Sequence, residues 1–97
     1  MLKPIDKETK AKLRENSENI SQNLRNMPEV LANLYSKHTI LDGEKSRIDA
    51  EETDFAKARK ILDYIQKGTY REIQVLREVF SDTDNGHLNE YLPKLDF

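Results

Sequence analysis

The stretch 53–68, TDFAKARKILDYIQKG, constrains the fold of this chain more than any other segment. Its apolar residues recur every three or four positions, which is the spacing of an amphipathic α-helix and not of a strand. Thr53 or Asp54 can cap its start, and Gly68 is placed to end the last turn in a left-handed conformation. The residues predicted to form the buried stripe of this central helix are Phe55, Ala58, Ile61, Leu62 and Ile65.

Length and composition point to a single all-α domain. The 97 residues leave no room for a second core, and only three glycines and three prolines are available for the turns that a sheet needs. There is no cysteine, which excludes disulfides and thiol catalysis and suits a reducing compartment. We therefore expect a cytoplasmic helical bundle with a highly charged surface.

Neither a membrane nor a nucleic acid is an expected partner. Residues 1–5 contain no apolar run, and no stretch approaches the roughly 20 apolar residues that a membrane span requires. The 16 basic and 18 acidic side chains give a net charge of −2, which is unlike a polycation that seeks phosphate. This balance indicates separate charged patches.

The first helix is predicted to run from Lys7 to Asn26, with Asp6 as its N-cap. Ser17 stands where an apolar residue would continue the stripe, and 16–23 is rich in asparagine and serine, which are weak helix formers. The sequence therefore predicts a bend or break near the middle of this helix.

Pro28 suits the first turn of a second helix that should end near His38. Segment 39–41 is predicted to be a buried link, and Asp42 begins a short third helix in which Ile48 is nearly the only core anchor. The residues predicted to face inward from the second helix are Met27, Val30, Leu31, Leu34 and Tyr35.

Thr69 and Glu72 have the spacing of a capping box and predict the start of a fifth helix, which should end in 81–86. A sixth, short helix should stop at Pro93. The predicted organisation is a lead-in at 1–5, a bundle at 6–93 and a tail at 94–97. The inward residues of the last two helices are Ile73, Val75, Leu76, Val79 and Phe80, then Leu88, Tyr91 and Leu92.

No pattern in the sequence predicts a catalytic residue, a metal site or a cofactor. Segment 82–86 resembles a calcium loop, but its glycine is one position early and Pro93 stands where a bidentate glutamate is needed, so an ordinary turn is favoured. His38 and His87 lie near helix boundaries without partners at ligand spacing, which favours surface or capping roles.

The charged residues are unevenly distributed. Basic residues follow one outer strip of a continuous first helix and the outer face of the fourth, whereas acidic residues concentrate on the second and third. Taken alone, such charge runs fit an ordinary solvated face as well as they fit a binding surface. The basic set is Lys7, Arg14, Arg25, Lys57, Arg59 and Lys60, and the acidic set is Glu29, Asp42, Glu44, Asp49, Glu51 and Glu52.

Over about residues 8–92 the chain resembles a caspase recruitment domain (CARD) of the death-fold superfamily. The most specific segments are ARKILDYIQKG, which ends at Gly68, and GHLNEYL, from Gly86 to Leu92. The run VLANLYSKHTIL at the second helix and the short third helix agree with this family. The resemblance implies an antiparallel six-helix bundle of Greek-key topology without enzymatic activity.

The resemblance also implies homotypic binding, in which a basic surface on the first and fourth helices meets an acidic surface on the second and third. By position, Arg14, Arg59 and Lys60 match the basic surface, and Asp42 and Glu44 match the acidic one. Charge placement adds Arg25 and Lys57 to the former, and Glu29, Asp49 and Glu51 to the latter.

The implied partners are other CARD proteins, such as a caspase, an adaptor or a kinase in apoptotic, innate-immune or inflammasome signalling, and further copies of the chain in a filament. Two alternatives stay open at this point. The domain could be a decoy that blocks assembly, or a structural domain that packs within a larger protein.

Overall fold

The computed structural model describes residues 3–93, and all of its regular elements in this range are helical, which confirms the all-α prediction. The first two residues of the predicted lead-in, and the predicted tail 94–97, lie outside the described residues. No helix in the described range is long and apolar enough to cross a membrane. The helices are α1 (Lys7–Asn23), α2 (Met27–Ser36), α3 (Asp42–Asp49), α4 (Asp54–Gln66), α5 (Tyr70–Asp82) and a 3₁₀ helix (Gly86–Tyr91).

These helices pack into one bundle around a continuous core. α1 packs against α4 and the 3₁₀ helix, α5 packs between α2 and the 3₁₀ helix, and α3 contacts both α2 and α4. The predicted apolar stripes supply the core, because each stripe faces a neighbouring helix. The largest fully buried side chains are Leu13, Ile20, Leu34, Ile40, Ile48, Ile61, Leu62, Ile65, Ile73, Leu76, Phe80 and Leu88.

α1 is an unbroken helix. Its predicted N-cap is confirmed, because the Asp6 carboxylate accepts a hydrogen bond from the Thr9 amide at 2.8 Å. Through the asparagine-rich part, the side-chain amides of Asn16 and Asn23 donate to carbonyls four residues earlier, at 3.1 and 2.7 Å. The expected break therefore does not occur, whereas the bend stays a prediction. The helix ends at Asn23, three residues earlier than predicted.

The link between α2 and α3 differs from its prediction in two side chains. Tyr35 was expected to face inward but is 40% exposed, because its hydroxyl donates to the Asp42 carboxylate at the surface. Leu41 was expected to be buried but is 62% exposed, and only Ile40 of this link enters the core. His38 has φ 60° just after the end of α2, so its surface or capping role fits a left-handed helix stop.

Gly68 has a different role from the left-handed helix stop that was predicted. No glycine in the range 3–93 has a positive φ, so the left-handed stop at Gly68 is wrong. A Cβ atom at this position would lie 2.9 Å from Glu72 Cγ. That side chain folds back to accept hydrogen bonds from the amide and hydroxyl of Thr69, at 2.9 and 2.6 Å. The capping box is thus confirmed. A side chain at position 68 would force Glu72 to shift from this position.

The segment just before α1, within the predicted lead-in, packs on the bundle. Ile5 is buried in the core. Pro4 forms an antiparallel bridge with Thr69, and the Tyr70 amide donates to the Lys3 carbonyl at 3.2 Å. The segment before α1 is therefore attached to the corner between α4 and α5.

Asn85 connects two links that are distant in sequence. Its side chain is fully buried, and its amide oxygen accepts from the Arg25 backbone amide at 2.8 Å. The amide nitrogen donates to the Arg25 carbonyl at 2.9 Å and to the Thr83 hydroxyl at 2.9 Å. Asn26 adds a bond to the Thr83 carbonyl at 2.7 Å. This network joins the α1–α2 link to the end of α5. It also engages the side chain of Asn85, which belongs to the turn that resembles a calcium loop.

We expect Asn85→Ala to destabilise the domain by about 1–3 kcal/mol, because the backbone groups of Arg25 lose their buried partners. For a domain of this size the melting temperature should fall by about 5 °C or more. The control is Asn33→Ala, since Asn33 also donates to a carbonyl but does so at the surface of α2. Equal melting temperatures for the two variants would show that the Asn85 network contributes nothing to stability.

We expect the capping box of α5 to weaken in acid. Burial raises the pKa of Glu72, but hydrogen bonds from Thr69 and the charge of Arg71 outweigh it, so the pKa lies below its usual value of 4.5. The stabilisation is therefore complete above pH 4.5 and is lost as the pH falls through the lowered pKa. Between pH 7 and pH 3 the melting temperature of Glu72→Gln should fall less than that of the wild type. The exposed Glu90→Gln serves as control, and parallel curves for Glu72→Gln and wild type would contradict the assignment.

Candidate protein-interaction surfaces

The outer face of α4 carries the central part of the predicted basic surface. Arg59 is exposed, and its guanidinium carbon lies 5.8 Å from the centre of the Phe55 ring. Phe55 was predicted to belong to the buried stripe, but it is only half-buried and lies outside the core cluster. The first turn of α4 thus presents an aromatic ring beside a cation, while Lys57 lies half-buried nearby on the same helix.

The residues assigned to α1 divide into two groups. Lys7 and Arg14 are exposed on the helix that packs against α4, so the two basic helices are neighbours. Arg25, in contrast, does not continue their strip, because α1 has already ended at Asn23. Its backbone is held by Asn85 in the α1–α2 link. Placing Arg25 on the helical strip was therefore wrong, although its side chain is exposed.

Lys60 and Glu51 were assigned to opposite surfaces, but they form an ion pair within the molecule. Lys60 Nζ lies 3.2 Å from Glu51 Oε1, and each side chain is about one-third exposed. The pairing arises because the short link 50–53 places Glu51 beside the second turn of α4. The expectation that the two patches are fully separate is wrong for this pair.

The α3 carboxylates also have partners in their own chain. Glu44 accepts a hydrogen bond from the Leu41 amide at 3.0 Å, and Asp49 pairs with Lys45 at 2.9 Å. Asp42 accepts the bond from Tyr35 described above. The hydrogen bond and charge of Asp49 raise the pKa of Lys45, and those of Asp42 raise the pKa of Tyr35. Both groups are therefore held in their protonated forms.

Glu29 is exposed in the first turn of α2, which packs against α3, so the helices of the acidic set are also neighbours. Sequence reasoning missed the exposed apolar pair beside this acidic set, Tyr35 and Leu41. The signal for Leu41 was available, because it stands immediately before the Asp42 start of α3, where a polar cap is usual.

The charged side chains thus lie on the outside of a helical bundle, and no cluster of His, Cys, Asp or Glu in the described range is placed to hold a metal ion. The family model of the caspase recruitment domain matches residues 10–95, and the chain belongs to this family. No curated protein and no solved structure matches it significantly. CARDs interact with other CARDs and related death-fold domains and are generally not enzymes, so this chain is a homotypic protein-interaction domain.

The internal ion pair can be measured in the isolated domain. We expect a double-mutant cycle of Lys60→Gln and Glu51→Gln to give a coupling free energy of up to about 1 kcal/mol, which should decrease in high salt. The control cycle pairs Glu51→Gln with Arg59→Gln and should show no coupling, since Arg59 contacts Phe55. Zero coupling in both cycles at low salt would contradict the Lys60–Glu51 pair.

Proposed function

We propose that this CARD acts in the cytoplasm, where it recruits or nucleates assembly of apoptotic or inflammatory signalling complexes. Its partners are the CARDs of a caspase, an adaptor or a kinase, and further copies of the chain. Binding joins the basic surface of one molecule to the acidic surface of the next. The basic surface is Arg14, Lys57, Arg59 and Lys60, with Arg25 as a candidate from the α1–α2 link, and the acidic surface is Glu29, Asp42, Glu44, Asp49 and Glu51.

The observation that carries the proposal is a partial segregation of charge between two pairs of packed helices in a member of this family. α1 carries four basic and three acidic side chains and α4 three and two, whereas α2 carries one acidic and no basic side chain and α3 three acidic and two basic. Exposed charges contribute only about 0–1 kcal/mol each to folding, so stability does not require such segregation. Complementary potentials instead accelerate encounter and fix the register of two partners. Arg14 and Arg59 project from α1 and α4, whereas Glu29 and Asp42 project from α2 and α3.

Two different surfaces make the contact heterologous. A contact of this kind leaves one basic and one acidic surface free at the two ends of every dimer, so it can propagate into a longer assembly. This geometry supports nucleation of a filament as well as pairwise recruitment.

A decoy is the second candidate, and the internal pairing of the acidic surface favours it. Asp42, Glu44, Asp49 and Glu51 each have a partner in their own chain, whereas Arg14 and Arg59 are exposed. A domain that binds strongly through its basic surface alone would occupy a partner and stop further growth.

Charge reversal at Arg59 tests the proposal. Arg59→Glu should weaken association at least about tenfold, because like charges meet across the interface, while the melting temperature changes by less than about 2 °C. The matched control is Lys12→Glu, since Lys12 is exposed on α1 but points about 160° away from Arg14. Association with a panel of CARDs and with the chain itself is measured by light scattering and titration.

A mixing experiment distinguishes pairwise binding from an assembly that keeps growing. Arg59→Glu mixed with an Asp42→Arg copy should form pairs but not long assemblies, because each mutant keeps one functional surface. Asp42 is preferable to Glu51 here, because changing Glu51 releases Lys60, a cation of the basic surface, whereas changing Asp42 removes the acceptor of the Tyr35 hydroxyl and leaves the basic surface unchanged. If Arg59→Glu associates as strongly as Lys12→Glu, the basic surface is only a solvated face. A wild-type domain that binds another CARD and caps its growth supports the decoy.

A further inference from the structure

Leu41 is a poor residue for a helix start and an apolar side chain exposed to solvent. It is the N-cap of α3, where Ser, Thr, Asp or Asn stabilises a helix and leucine does not, and its side chain makes no capping hydrogen bond. It is also 62% exposed, the highest value among the exposed large hydrophobic residues of the described range. The Leu41 backbone takes part in the cap, because its amide donates to Glu44 at 3.0 Å, but its side chain contributes to neither the cap nor the core. A side chain of this kind at a helix start is where a contact outside the molecule is expected.

The surroundings of Leu41 form an ordered patch with a negative edge. Tyr35 is 40% exposed, and its hydroxyl is held by the Asp42 carboxylate, which follows Leu41 in the chain. Lys45 Nζ lies 6.0 Å from the centre of the Tyr35 ring, but its charge is paired with Asp49 at 2.9 Å. The patch therefore offers an aliphatic side chain with a carboxylate directly beside it.

The first turn of α4 offers the complementary arrangement. The Phe55 ring is half-buried and lies outside the core cluster, so part of it faces solvent. The Arg59 guanidinium stands beside it at 5.8 Å. An apolar group beside a cation matches an apolar group beside an anion in both hydrophobicity and charge. Asp54 also lies at the start of this turn, where the helix N-terminus stabilises its charge. This charge opposes an incoming carboxylate, so the attraction for Asp42 comes from Arg59.

We propose that Leu41 of one copy packs on the Phe55 ring of a second copy of this chain, while Asp42 of the first meets Arg59 of the second. The inference rests on the proposed CARD assembly and deepens it, because it adds an apolar anchor to a contact otherwise made of charges. Leu41 stands at the start of the eight-residue α3, about 12 Å long, whereas Phe55 follows the link at its other end, an arrangement that suits a contact between copies. One molecule can use its Leu41–Asp42 surface and its Phe55–Arg59 surface at the same time, so the assembly can keep growing.

The anchor changes how assembly responds to salt. Ion pairs at a surface are screened as salt rises, whereas burial of a leucine side chain is not. Assembly of the wild type should therefore weaken in 0.5 M salt but persist. Assembly that depended on charge alone would be lost.

The decisive variant is Leu41→Ser, which should raise stability and reduce association at once. Serine is a favoured N-cap, so the melting temperature should rise by about 2–8 °C. Self-association should weaken about tenfold or more and should disappear in high salt, because the buried apolar group is lost. Leu41→Met should retain association. Gln74→Ser, at an exposed position on α5, is the control for a side-chain truncation elsewhere.

The outcomes separate this inference from the proposed function. Undiminished self-association of Leu41→Ser, with Arg59→Glu still weakened, overturns the Leu41 anchor and leaves the charged surfaces in place. If Arg59→Glu also has no effect, the proposed function fails as well. If Leu41→Ser weakens capture of another CARD but the wild type never self-associates, the occupant is that CARD and the second-copy proposal is overturned. A lower melting temperature for Leu41→Ser would show that Leu41 is a folding contact, which likewise overturns the inference.

Discussion

The buried side chain of Asn85 is the interaction on which the geometry of this bundle depends. The links between short helices contain backbone groups that have no helical partner, and a buried group without a partner is costly. Asn85 supplies both an acceptor and a donor to Arg25 and also binds Thr83, so a single amide completes two links. The exit of α1 and the exit of α5 are thereby fixed relative to each other, and with them the positions of α2 and the 3₁₀ helix.

Most of the helices could be predicted from the sequence because their signals are local. Apolar spacing located the stripes of α2, α4 and α5, and the Thr69–Glu72 capping box marked a helix start correctly. The Asn85 network could not be predicted, since its partners are 60 residues apart in sequence. The role of Gly68 was also missed, because a left-handed stop and close approach by the Glu72 side chain leave the same sequence signal. Residues at the edge of a stripe, such as Tyr35 and Phe55, depend on which neighbouring helix covers them.

The sequence predicted which helices carry the basic and the acidic residues of the candidate site. It did not predict which of these residues pair with each other within the molecule. Spacing placed cations on α1 and α4 and carboxylates on α2 and α3, and the packing of these helices agrees. The Lys60–Glu51 pair depends on the path of the link before α4, and the displacement of Arg25 depends on where α1 ends. Neither is encoded in a repeat or motif. The exposed Leu41 is an unfavourable residue for a helix start, and residues that violate local preferences in this way tend to lie at functional sites.

The pairing of Pro4 with Thr69 determines where anything attached ahead of the domain leaves the molecule. α4 has thirteen residues and is about 20 Å long, and the bridge lies beyond its carboxyl end, while Phe55 lies in its first turn. A dye, an affinity handle or another domain joined before residue 3 therefore emerges at the α4–α5 corner. It lies about one helix length from the Phe55 end of α4, but Arg71 at the same corner donates to the Lys37 carbonyl at 3.2 Å, so it is nearer to the α2–α3 link.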